Sequence, residues 1–225
     1  HDDFTWGIGE FVWTGFDYLG EPTPYYSDWP SHSSLFGIVD LAGLPKDRYY
    51  LYRSHWNTEE ETLHILPHWT WPGREGEVTP VFVYTNYPSA ELFINGVSQG
   101  IRTKDTSMTA EGTWEEQESA TSFKRQQRYR LMWFDTKYEP GTVRVVAYDD
   151  EGNAVAEEEI RTAGAPHHLE LEADRSTIKA DGKDLAFVTV KVVDANGNLC
   201  PNAQHLVKYS VKGEGKYRAG ANGDP

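Results

Sequence analysis

Ala90-Glu91-Leu92-Phe93-Ile94-Asn95-Gly96 decides how the middle of this chain is read. Ala90, Leu92 and Ile94 alternate with Glu91, Phe93 and Asn95, the period of a half-buried strand. Asn95-Gly96 then supplies two residues that tolerate positive φ, the strongest short signal for a β-hairpin. This pattern places Leu92 and Ile94 in a core and Glu91 in solvent. Working outward, Val81-Phe82-Val83-Tyr84-Thr85 reads as the preceding strand. Arg130 to Phe134, Val143 to Tyr148 and Ala154 to Ile160 read as later ones, with turns at Pro140-Gly141 and Asp150 to Asn153. Short strands at this spacing, without helices between them, predict an antiparallel immunoglobulin-like sandwich across residues 58–164. The acidic stretch Glu111 to Ser122 reads as a solvated loop.

Beyond a break at Gly164-Ala165-Pro166, a third segment begins. Leu169 to Ala173 forms one strand, and Ala186, Val188, Val190 and Val192 all face one way along another. Asp194-Ala195-Asn196-Gly197-Asn198 makes a turn, and Leu206 to Val211 a further strand. Three or four strands fall short of the seven or so that a sandwich uses. Residues 165–225 are therefore expected to form a small or truncated β-module.

The first segment, residues 1–57, differs from both, and six of the chain's eight tryptophans fall before position 72. Phe11-Val12-Trp13 is a continuous apolar run, as in a strand covered on both faces. The aromatic, proline-rich stretch Leu19 to Ser34 reads as a functional loop, since aromatics argue against disorder. Pro45-Lys46-Asp47 opens a helix with proline in its first turn, and Tyr49, Tyr52, Arg53 and Trp56 fall on one face of it. Strand, long loop and helix make one β/α unit. Such a unit cannot be a domain alone, because a single strand leaves its backbone groups unpaired.

Composition narrows the function classes. The chain has 225 residues and a formal net charge of −14. Phosphate binding needs clustered cations. The nearest cluster here is Lys124-Arg125 with Arg128 and Arg130, behind a strongly acidic stretch, so nucleic acid is not an expected partner. No apolar run approaches the length of a membrane span, and no membrane partner is expected. No leader is visible, which says little about the compartment if the chain is internal to a longer one. Cys200 is the only cysteine, which removes intrachain disulfides and Cys-based metal sites. Asp2-Asp3 reads as a solvated pair, and His64, His68, His167 and His168 as satisfied or exposed histidines; no cofactor is expected.

Gly9-Glu10-Phe11-Val12-Trp13-Thr14-Gly15-Phe16-Asp17-Tyr18 is followed by Leu35-Phe36-Gly37-Ile38-Val39-Asp40, Pro45-Lys46-Asp47, and Tyr52 before Trp56. Together these resemble the end of the catalytic barrel of glycoside hydrolase family 2, of the β-galactosidase type. The hairpin at residues 90–96 resembles the sandwich that follows that barrel, and the last segment an additional immunoglobulin-like or invasin-like module. The resemblance implies a mainly β chain whose first 57 residues are the last unit of a (β/α)8 barrel, belonging to a retaining exo-β-glycosidase that acts on β-galactosides. It makes Trp13 a wall of the subsite for the reacting sugar, where an indole face suits the C–H face of a pyranose. Barrel sites lie at strand C-termini, which brings Asp17 and Glu21 into reach of sugar hydroxyls and Trp29 and His32 into reach of an aglycone. Each has a plainer alternative: a core tryptophan, turn-capping or solvated carboxylates, simple packing. No catalytic carboxylate falls within the chain, because the resemblance puts both on other strands, and Glu10 lies at the wrong end of its run. The chain alone is expected to be inactive. Some family members hold a monovalent cation with an asparagine where Phe36 stands, so no metal is assigned. A carbohydrate-binding module and a structural spacer remain as alternatives, and oligomerisation stays open.

Overall fold

The computed structural model describes residue 3, residues 5–107 and residues 125–223. The expected acidic loop, Asp2 and Lys124 lie outside them. Among the described residues, helix α1 (Asp47–Trp56) precedes nine strands. These are β1 (Leu63–Leu66), β2 (Val81–Thr85), β3 (Ser89–Ile94), β4 (Val97–Thr103), β5 (Leu131–Trp133), β6 (Thr142–Tyr148), β7 (Ala154–Arg161), β8 (His168–Ala173) and β9 (Val188–Val193). All pair antiparallel, in sheets ordered β1-β2-β5, β4-β3-β6-β7 and β8-β9. The fold is mainly β.

The first two sheets pack face to face, and register explains why. On β3 and β6, Ala90 pairs with Ala147, Leu92 with Val145 and Ile94 with Val143, so six aliphatic side chains line one face. In the facing sheet, Val83 pairs with Ile65 and Leu131, and Val81 with Trp133. All of these are buried in one core together with Trp69 and Tyr138. The indole N–H groups inside it are satisfied: Trp69 donates to the Glu139 carbonyl (2.9 Å) and Trp133 to that of Gly100 (3.0 Å). Asn95 and Gly96 turn β3 into β4 with φ of 49° and 78°, the type I′ geometry expected of the dipeptide. Asn95 also stitches the turn to β6, its Oδ1 accepting from the Thr142 N–H at 2.8 Å.

Helix α1 begins two residues after Pro45, with Lys46 at the N-cap position. It rests against the sandwich through His64 of β1, whose ring stacks on Tyr50 (3.9 Å between centroids) and lies 2.8 Å from an Asp47 carboxylate oxygen. At the other end of the chain, Asp194 closes the turn after β9. Its carboxylate accepts from the N–H groups of Asn196 and Asn198, the Asn198 side chain and the Gly164 N–H. Those donors hold its carboxyl far below the usual range.

Four expectations are corrected. Phe11-Val12-Trp13 forms no strand: Phe11 is fully exposed and Trp13 is 74% exposed. A strand covered on both faces needs neighbours on either side, and the backbone hydrogen bonds to residues 38 and 39 begin only at Thr14, with the first bridge at Phe16–Val39. Leu206 to Val211 is likewise not a strand, and Leu206 is exposed with no ladder beside it. Glu91 is half-buried rather than exposed, because β4 and β6 flank it and supply Ser98 and Tyr148 (3.1 Å) as hydroxyl donors. Asp3 is not simply solvated, since it pairs with Arg128.

Candidate functional site

Residues 14–19 and 33–39 run side by side without forming a regular sheet. The N–H groups of Ile38, Val39 and Asp17 donate to the carbonyls of Thr14, Gly15 and Val39 at 3.1, 3.0 and 2.9 Å. Farther along, Ser34 donates to the Tyr18 carbonyl (2.9 Å) and Gly20 to that of His32 (2.9 Å). Asp17 is the hub of this double strand. Its side chain is 1% exposed, and it accepts from the Gly37 N–H (2.8 Å) and from Ser34 Oγ (3.3 Å). Lys46, just before α1, pairs with the second carboxylate oxygen and donates to the Leu35 carbonyl at 3.0 Å. Gly37 is required by this packing: a Cβ there would lie 2.3 Å from the Asp17 nitrogen.

On the outer side the loop presents aromatic rings. Trp13 meets Tyr18 edge to face at 6.2 Å, and Tyr18 meets Phe36 in the same manner at 5.7 Å. The Tyr18 hydroxyl donates to the Glu21 carboxylate, and that hydrogen bond holds the phenol above its ordinary range. Tyr18 thus joins Trp13 to Glu21, two of the residues singled out from sequence. The third, Asp17, points the other way and has its oxygens occupied inside the loop. Trp29 and His32 are exposed, with His32 Nδ1 3.0 Å from the Pro30 carbonyl.

Sequence reasoning missed Ser34, Gly37 and Lys46 as partners of Asp17. Lys46 was visible only as a helix-start residue, and nothing local ties it to a carboxylate 29 positions away. The Phe36 ring, packed on Tyr18, offers no oxygen to a cation, so these residues do not fit the monovalent-ion site of the similar family. Among the described residues no group of three or more His, Cys, Asp or Glu could hold a metal ion. His68 stacks on Trp71 (4.1 Å), and His167 and His168 face each other across 3.0 Å.

Comparison with known proteins covers nearly the whole chain. Residues 76–156 match a domain of unknown function (DUF4982), and residues 169–225 match glycoside hydrolase family 2 C-terminal domain 5. A β-galactosidase of Bacteroides ovatus is 48% identical over 96% of this chain and 22% of its own length. A putative β-glucuronidase of Formosa agariphila is 35% identical over 99% of this chain and 20% of its own. A crystal structure of a β-glycosidase from Bacteroides vulgatus superposes with a TM-score of 0.64 at 35% identity, over 83% of this chain and 20% of that one. A family 2 member from Bacteroides cellulosilyticus gives 0.67 at 27% identity, over 88% and 27%. The chain spans about a fifth of the length of the curated relatives it matches.

Proposed function

The chain belongs to glycoside hydrolase family 2, and we propose that it is the C-terminal part of a retaining exo-β-glycosidase acting on terminal β-galactosides. In this reading residues 1–57 close the catalytic barrel, 58–164 form an immunoglobulin-like sandwich and 165–225 a second, invasin-like module. The observation that carries it is the state of Trp13: a large indole, 74% exposed, on a loop whose underside is fixed by the buried Asp17 carboxylate. An exposed aromatic face on a fixed loop is suited to stack on a pyranose ring.

Retention of configuration needs two carboxyl groups about 5–5.5 Å apart, one protonating the leaving oxygen and one attacking the anomeric carbon. Both are assigned to parts of the full-length protein beyond these residues. This segment supplies the stacking wall at Trp13 and a carboxylate at Glu21 that can accept from a sugar hydroxyl while Tyr18 orients it. Asp17 serves the loop rather than the sugar.

Identity to the B. ovatus β-galactosidase favours galactosides. Identity to the F. agariphila putative β-glucuronidase makes a β-glucuronide the second reading. The full-length protein should be assayed against nitrophenyl β-galactoside, β-glucuronide and β-mannoside. Turnover led by the galactoside is expected; preference for the glucuronide selects the second reading, and no turnover of any would refute the enzyme assignment.

A further inference from the structure

We propose that Lys46 is a positioning residue for sugar binding, holding the Trp13 loop in its working shape through the buried carboxylate of Asp17. The assignment rests on the reading of Trp13 as a sugar-facing wall and adds a residue remote from the sugar.

Lys46 makes three contacts with the two segments of the double strand. Its N–H donates to the Ile38 carbonyl at 3.0 Å, its ammonium donates to the Leu35 carbonyl at 3.0 Å, and the same ammonium pairs with Asp17. Lys46 also immediately precedes α1, which the His64–Asp47 contact and the Tyr50 stack bind to the sandwich. The residue therefore fastens the loop to the rigid part of the molecule. From Asp17 the path to the sugar wall is one residue long, because Tyr18 follows it and the Tyr18 ring touches Trp13.

The electrostatics fix the direction of the effect. Among the described residues, the other donors to the Asp17 carboxylate are neutral, Gly37 N–H and Ser34 Oγ. Replacing Lys46 by methionine keeps the stem and removes the charge. The buried Asp17 carboxylate is then left without its counter-charge, which strongly destabilises the closed arrangement of the loop. Opening separates residues 14–19 from 33–39, and Tyr18 and Trp13 move with the first of these.

The test is a double-mutant cycle in the full-length enzyme, with kcat/KM measured on whichever nitrophenyl glycoside the wild type hydrolyses best. Lys46→Met is expected to lower it about a hundredfold, the loss that follows from misplacing a binding group by about 1 Å. Trp13→Ala combined with Lys46→Met should lie within threefold of Trp13→Ala alone, because Lys46 acts through Trp13 and not beside it. Lys46→Arg, which keeps the charge, should recover to within tenfold of wild type. A Lys46→Met enzyme within threefold of wild type, effects that multiply in the double variant, or a Lys46→Arg enzyme as impaired as Lys46→Met would each overturn the assignment. Should Lys46→Met not yield folded protein, Ser34→Ala removes a neutral donor from the same carboxylate and enters the same cycle, with about a tenfold loss expected. A wild type that hydrolyses no glycoside removes the functional reading and this assignment together, whereas an active wild type with an unaffected Lys46 variant removes only the assignment.

Discussion

Lys104 follows β4 and turns its ammonium inward, donating to the Thr85 carbonyl at 2.5 Å. Burial lowers its pKa from the ordinary 10.5 to about 8. Between those two values the unfolded chain still holds a proton that the folded chain has released, so stability rises with pH across that window. Below pH 8 both states are charged, and the folded state carries the full cost of an ammonium in a poorly solvated position. At about 1.4 kcal/mol per pH unit, the gap corresponds to roughly 3 kcal/mol in total, of which about 2–3 is recovered between pH 7 and pH 10. Lys104→Met keeps the stem and removes the titration. The loss of the donor to Thr85 shifts its stability by an amount that does not depend on pH. Urea unfolding of the chain and its Lys104→Met variant at pH 7, 8, 9 and 10, followed by fluorescence of the buried Trp69 and Trp133, isolates the effect. The Tyr84 phenol, raised chiefly by burial, titrates alike in both and cancels. Wild type should gain on the variant by about 2–3 kcal/mol over that range. A difference that stays flat with pH would mean that burial does not lower the Lys104 pKa.

Other outcomes follow from the packing. Leu92→Ala, at a fully buried position facing Val145, should cost about 2–5 kcal/mol in the same unfolding assay. Leu171→Ala, at a position 70% exposed on β8, should cost under about 0.5 kcal/mol. The isolated chain should hydrolyse no β-galactoside, because both reacting carboxylates are assigned elsewhere in the protein. Turnover that survives repurification and is lost on mutating Asp17 or Glu21 would show that assignment to be mistaken.

Sheet structure was legible where one face is buried and the sequence alternates accordingly. The period of two at Ala90-Leu92-Ile94 and Val143-Val145-Ala147 is what the core imposes, and Asn95-Gly96 fixes the register between β3 and β4. β1 and β4 were not singled out, because Leu63–Leu66 is short and Val97–Thr103 is an edge strand with little buried surface. Phe11-Val12-Trp13 and Leu206 to Val211 show the opposite limit. Apolar residues of strand-forming type make no strand unless a partner edge lies beside them, and these have none among the described residues. The same holds on the β8-β9 hairpin, where Leu169, Leu171, Val190 and Val192 share a face as the sequence predicts, yet Leu171 stays largely uncovered.

The candidate site was legible by residue type more than by geometry. Trp13 was marked by the resemblance of residues 9–18 to the end of a family 2 barrel, while its exposure and the Tyr18 link to Glu21 were not read from the sequence. Asp17 looked equally available to a sugar, and only its partners decide otherwise. Those partners come from positions 34, 37 and 46, brought together by a path that no local pattern encodes. A buried carboxylate with a distant lysine is a tertiary fact.

Whether this segment supplies a sugar-stacking wall to a glycosidase is decided by Trp13→Ala in the full-length enzyme, with Tm and kcat/KM measured on the same preparation. An indole this exposed contributes little to folding, so Tm should change by no more than a few degrees. Loss of the wall should lower kcat/KM by about a hundredfold. A core tryptophan would instead cost about 3–5 kcal/mol of stability. A large fall in Tm with near-normal kcat/KM among the molecules that remain folded would make Trp13 a core residue and not a sugar-stacking wall.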